Sequence, residues 1–293
     1  MSGKKFIAAK VNINENIFTG KLDDLVSRIP TAIESRKHFK GRTWRWQFLD
    51  VKRTEHGLVY GNLSKARDER RTVATESFTT GYAEIKDATY NSFFVYDPKN
   101  EILMFHENGR IDRDTFIHYW ARLVYQGDPS IGDIIIIPFP VEEDLKLKVK
   151  GMEVLTRIEF EIIPPNMIKR KTLGSMRHLV QDANSTKTKY IAENKKEGLN
   201  KDGPLIDSGL EMVKNAYGYV KATGYDTFTT KGRGGKVKVT KTPRIFRSRD
   251  SVFHDTVQAS EPLEIVEELK NLWGRAKNVV RGGGDDETNG KSL

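Results

Sequence analysis

The densest group of chemistry-bearing side chains lies between 231 and 249, in KGRGGKVKVTKTPRIFRSR. It holds Lys231, Arg233, Lys236, Lys238, Lys241, Arg244, Arg247 and Arg249, with no acid. The whole chain carries +9, so these eight charges leave the remainder close to neutral. Like charges packed this closely repel, and solvent screening removes only part of that cost. A polyanion relieves it, and the phosphate backbone of a nucleic acid is the partner this chemistry implies. On a strand, period two puts Lys236 and Lys238 on one face and Val237 and Val239 on the other. Gly232, Gly234 and Gly235 let backbone N–H groups around Arg233 approach an anion. The competing reading is a solvated edge hairpin whose lysines discourage sheet-to-sheet association.

Two further basic groups stand elsewhere. Residues 36–53, RKHFKGRTWRWQFLDVKR, hold Arg36, Lys37, Lys40, Arg42, Arg45, Lys52 and Arg53 against Asp50 alone. Trp44, Trp46 and Phe48 alternate there, a pattern that suits stacking on unpaired bases. Period-two aromatics are also ordinary sheet core, and that reading is the stronger. Arg36, Lys37 and Arg42 remain candidates for phosphate. The third group, Lys169, Arg170, Lys171, Arg177 and His178, opens a basic stretch read as a helix over 167–183, with a solvated helix face as the alternative.

Catalytic chemistry is thinly represented. None of the six histidines sits at HExxH or HxH spacing, and the chain has no cysteine, so no metal site is read and no cofactor is implied. His254 and Asp255 follow the basic segment and are the one candidate acid/base pair. Glu84-Ile85-Lys86 with Asp68 matches part of a metal-nuclease pattern, a match that any charged protein produces by chance. Walker-loop and G-x-S-x-G patterns are missing.

The elements that must position these groups read as α+β, with mixed or antiparallel sheets built from hairpins and interspersed helices. Strands or hairpins are expected at 5–13, 43–63, 92–106, 133–137, 155–163, 218–229 and 236–246. Helices are expected at 21–33 with a kink or stop at Pro30, at 111–125, 141–149, 205–217 and 261–280. Residues 64–80 read as a polar loop and 184–204 as a flexible lysine-rich insert. A boundary near 150 separates an N-terminal α+β domain, 1–150, from a C-terminal one, 151–281, followed by a disordered tail at 282–293. The second domain reads like an incomplete split βαβ sandwich missing one strand. No stretch approaches 18 apolar residues, so a membrane partner is not expected, and MSGKKFIAAKVNINEN lacks an apolar signal core. A cytoplasmic protein is the expectation.

Three stretches carry a resemblance: FFVYDPKNEILMFHENGRIDRDTFIHYWARLV, IEFEIIPPN and AYGYVKATGYD. Together they resemble uncharacterised bacterial proteins of mobile elements, often near phage-defence genes. The resemblance implies a prokaryotic cytosolic setting and a role in recognising or damaging nucleic acid; it supplies no catalytic residues. The leading expectation is therefore a nucleic-acid-binding protein, DNA or RNA, in anti-phage defence. A nuclease or ribonuclease toxin is one alternative. The other is an interaction subunit whose basic face docks an acidic protein partner; a homo-oligomer is a further partner expectation.

Overall fold

The computed structural model describes residues 3–14, 22–74, 76, 79–163, 185–231, 237–269, 272–274 and 276, in an α+β fold with two antiparallel sheets. The chain divides into two units, 1–137 with 254–269, and 138–253 with 270–293.

In the first unit, β1 (Lys4–Asn14), β2 (His38–Lys40), β3 (Arg45–Arg53), β4 (Val59–Ala74), β5 (Thr80–Asp97), β6 (Ile102–His106) and β12 (His254–Val257) make one sheet. Their order is β12-β1-β6-β5-β4-β3-β2, and β7 (Asp133–Pro138) also pairs with β1. The helices α1 (Leu22–Glu34) and α2 (Arg113–Gly127) bury Leu25, Ile29 and Ile33 and Phe116, Trp120 and Val124. Phe94 of the sheet meets both Phe116 and Trp120 edge-on at 6.5 and 6.4 Å. Asp112 caps α2, its carboxylate accepting the Thr115 backbone N–H at 2.8 Å. Helix α1 runs through Pro30 to Glu34, so the stop considered there does not occur. The buried Ala32 and Ile33 beyond the proline hold the last turn against the core.

Residues 64–80, expected as a loop, largely belong to β4 and β5. These strands pair from Val59↔Tyr96 to Ala74↔Thr80, with one register shift near Arg67. Backbone ladder bonds do not need apolar side chains. The outer part is supported by surface pairs instead, such as the Arg70 guanidinium 4.1 Å above the Tyr82 ring.

In the second unit, β8 (Val154–Ile162), β9 (Thr188–Glu193), β10 (Gly218–Lys231) and β11 (Val237–Arg247) form a sheet in the order β11-β10-β8-β9. The helices are α3 (Glu142–Lys150) and α4 (Pro204–Lys214). Ile158, Phe160 and Ile162 are buried, as their alternation demands. The flexible insert expected at 184–204 instead contains β9. Lys187 and Lys189 reach Glu161 and Glu159 on the neighbouring strand at 2.8 and 3.1 Å, so these two charges are neutralised in place. With β9 supplied, β9, α4 and β10 form a crossover whose two strands flank the antiparallel β8. That is the split βαβ arrangement, and β9 is the strand the sequence reading lacked. Helix α4 approaches the sheet at Gly209, where an added Cβ would lie 2.6 Å from the Phe160 ring.

Pro204 opens α4, but the helix closes at Asn215, and Gly218 begins the next strand. The helix α5 (Pro262–Glu268) is capped at Leu269; residues 272–274 and 276 are helical as well, and the rest of the span expected to 280 lies outside the described residues. The basic helix read over 167–183 and the tail at 282–293 lie outside the described residues. Among the described residues no helix is long and apolar enough to cross a membrane.

Candidate nucleic-acid interface

The basic segment folds as the hairpin of β10 and β11, in continuous register from Lys221↔Arg247 to Lys231↔Val237. Strand β8 supports β10 only as far as Tyr225. Beyond that point the hairpin is a two-stranded ribbon, and Val237 to Ile245 are all exposed. Pro243 fits because β11 is the sheet's edge, where a missing N–H costs no ladder bond. Cβ alternation puts Lys238 and Arg244 on one face and Lys241 and Arg247 on the other, beside Val237, Val239 and Ile245. Lysines and valines therefore do separate near the tip, but cations return to both faces toward the root.

The root is locked by carboxylates. Asp226 accepts the Glu153 backbone N–H at 3.0 Å and pairs with Arg244 at 2.5 Å. The Glu153 N–H, and then Arg244, hold its carboxyl below the usual range. Glu153 in turn accepts the Thr227 hydroxyl and its backbone N–H, and these hold it down as well. Arg249 follows the ribbon, pairs with Glu161 at 3.1 Å and lies 4.0 Å above the Tyr219 ring. Arg247 has Asp250 at 4.0 Å.

The remaining described cations are different. Lys241 donates to the Tyr225 hydroxyl at 3.2 Å and sits 4.4 Å from that ring, with no carboxylate partner among the described residues. Lys238 is exposed and has no ion pair among the described residues. Among its described residues the ribbon thus offers two lysines without carboxylates and three arginines already engaged to differing degrees. Tyr219 and Tyr225 escaped the sequence reading, although both lie at odd positions of β10, the parity that places them under Arg249 and Lys241. The side chains of Lys231, Arg233 and Lys236, and all of Lys169 and Arg170, lie outside the described residues.

Arg36, Lys37 and Arg42 belong to the first unit and are exposed without ion pairs among the described residues. Arg36 has φ +54°, in the bend leading into β2. Trp46 and Phe48 are 3% and 7% exposed, which makes them core rather than stacking surface. Arg45 is taken by Asp87 at 2.9 Å and Arg53 by Glu34 at 2.5 Å. His254 and Asp255 are successive residues of β12, opposite Ile7 and Phe6, so their side chains leave the strand on opposite faces. Glu84 and Lys86 are exposed on the outer hairpin, and Asp68 accepts the Asp87 N–H at 2.9 Å, a cross-strand bond at the register shift between β4 and β5. No group of three metal-ligating side chains occurs among the described residues.

No curated protein matches the chain. A family described as a domain of unknown function, DUF4747, matches residues 4–263. The match begins with β1, takes in both sheets and the whole basic ribbon, and ends at the start of α5, so the chain belongs to the DUF4747 family.

Proposed function

We propose that this chain binds nucleic acid through its phosphate backbone, with the β10–β11 ribbon as the main contact. One observation carries the reading: the ribbon leaves the sheet after Tyr225, exposed on both faces, with Lys238 and Lys241 unmatched by any described carboxylate. An amphipathic two-stranded ribbon has the width to enter a groove, and its threonines and tyrosines supply further phosphate donors. Arg244 and Arg249 contribute less, because each must leave an acid to reach a phosphate. Lys231, Arg233 and Lys236 extend the charge toward the tip by sequence, as Lys169 and Arg170 do elsewhere. Arg36, Lys37 and Arg42 form a separate phosphate contact in the first unit. A cytoplasmic place in anti-phage defence completes the proposal, supported by the resemblance of the three quoted stretches.

The test is the affinity of the full chain for labelled duplex and single-stranded oligonucleotides, measured by anisotropy from low to high salt. Phosphate neutralisation gives a steep, linear fall of log K with log salt. An affinity that hardly changes with salt sinks the reading. A stable complex recovered from nuclease-treated lysate, without affinity for either oligonucleotide, identifies an acidic protein as the partner instead.

A further inference from the structure

In the first unit, the sheet face that packs against α2 carries a row of rings that continues beyond the helix. Trp46 is stacked on Tyr119 of α2, with centroids 3.8 Å apart and planes 9° from parallel. Trp44, two residues earlier, is only half-buried. Its ring has the Lys65 Nζ at 4.7 Å and the Arg67 guanidinium at 4.1 Å, with Tyr90 edge-on at 5.8 Å. Tyr90 stands directly opposite Lys65 in the β4–β5 register, on the same face, and Arg110 lies over its ring at 4.9 Å.

The charges here do not close among themselves. Among the described residues Glu69 is the one carboxylate bonded into the cluster, and it is shared by Arg67, Arg71 and the Tyr90 hydroxyl. Lys65 donates a hydrogen bond to the Arg110 carbonyl at 2.5 Å rather than to an acid. Burial, and next the Arg110 and Arg67 charges, hold Lys65 below the ordinary lysine value, with Asp112 pulling the other way. Asp112 is itself engaged in capping α2. A purely structural surface pairs cation with acid, as Arg45 and Asp87 do nearby. This cluster combines flat rings, stacked guanidinium groups and surplus positive charge.

We propose that the face around Trp44 and Tyr90 is a binding site for unpaired nucleotides, whose bases stack on these rings while Lys65, Arg67 and Arg110 hold the adjoining phosphates. A nucleobase is flat and polarizable, so it can take the place of a guanidinium over the indole, or add a layer beside it. A duplex cannot do so, because its bases are already stacked inside the helix. The site belongs to the first unit and the ribbon to the second, and this proposal does not rest on the ribbon.

The experiment compares oligothymidylate and a duplex of matched length, bound to the full chain and followed by anisotropy. Trp44→Leu and Tyr90→Leu are each expected to weaken the single strand by about 5- to 100-fold and leave the duplex unchanged. Trp44→Phe should keep most of the affinity. Lys238→Gln with Lys241→Gln should weaken both ligands alike. If folded Trp44→Leu binds oligothymidylate as tightly as the wild type, the proposal is overturned. Should the leucine variants fail to fold, photo-crosslinking of the wild-type chain to oligothymidylate decides: adducts on Trp44 or Tyr90 support the site, and adducts confined to other segments overturn it. Oligothymidylate binding that survives while duplex binding is absent removes the ribbon reading and leaves this one standing.

Discussion

Replacing Lys238 and Lys241 with glutamine separates free charge from charge already spent. Both lysines are exposed and neither meets a described carboxylate, so each is available to displace a counterion from a phosphate. For duplex DNA the slope of log K against log salt is about −0.9 per phosphate neutralised. Losing two contacts should make the slope shallower by about 1.8, which over a fourfold rise in salt is roughly a 12-fold difference between wild type and variant. The companion variant, Arg244→Gln with Arg249→Gln, removes the same formal charge from side chains bound to Asp226 at 2.5 Å and Glu161 at 3.1 Å. Its slope should change by less, because those arginines exchange one anion for another. Anisotropy titrations at four or more salt concentrations give both slopes, and thermal melts confirm that each variant is folded. The reasoning is refuted if the lysine variant keeps the wild-type slope, or if the arginine variant flattens it equally.

Three predictions concern the scaffold. Lys10 and Glu101 form an ion pair at 2.6 Å with both side chains at most 5% exposed, so Lys10→Met should cost about 3–5 kcal/mol in urea unfolding by stranding a buried carboxylate. Adding Glu101→Leu should recover part of that loss; a single variant as stable as the wild type would refute the account. Gly209→Ala should destabilise by about 1–3 kcal/mol, since the methyl meets the Phe160 ring where α4 crosses the sheet. Burial, and then Lys4, hold the His106 imidazole below its ordinary value, with Glu107 opposing. The unfolded chain then takes up a proton that the folded chain resists, so stability is full above about pH 6.5 and declines as pH falls below it. His106→Phe should remove that part of the decline, read as the urea midpoint measured stepwise from neutral to mildly acidic pH.

What the sequence made legible follows from which faces are buried. Ile158, Phe160 and Ile162 alternate because one face of β8 is core, and the period is visible without any partner. Strand β9 and the outer halves of β4 and β5 bury little on either face, so no buried apolar face marks them, and their ladders rest on backbone bonds and cross-strand charges. The ribbon shows the same division. Its charge could be counted from the chain, but its neutralisation could not. Asp226 lies 18 residues from Arg244, and Glu161 lies 88 from Arg249, so only the register of β8, β10 and β11 reveals which cations are spent.

The Trp44 face marks where a charge count along the chain misleads. Over 64–90 the cations Lys65, Arg67, Arg70, Arg71 and Lys86 are balanced by Asp68, Glu69, Glu76, Glu84 and Asp87, and the segment looks neutral. A strand pair sorts those residues by face rather than by sequence window. Lys65 and Arg67 come to the Trp44 side with Tyr90, and Arg110 joins them from the turn before α2. Of the five acids, Glu69 alone bonds into that group. A segment that is neutral as a string is therefore cationic as a surface, and the rings that make the surface selective lie 46 positions apart, at 44 and 90.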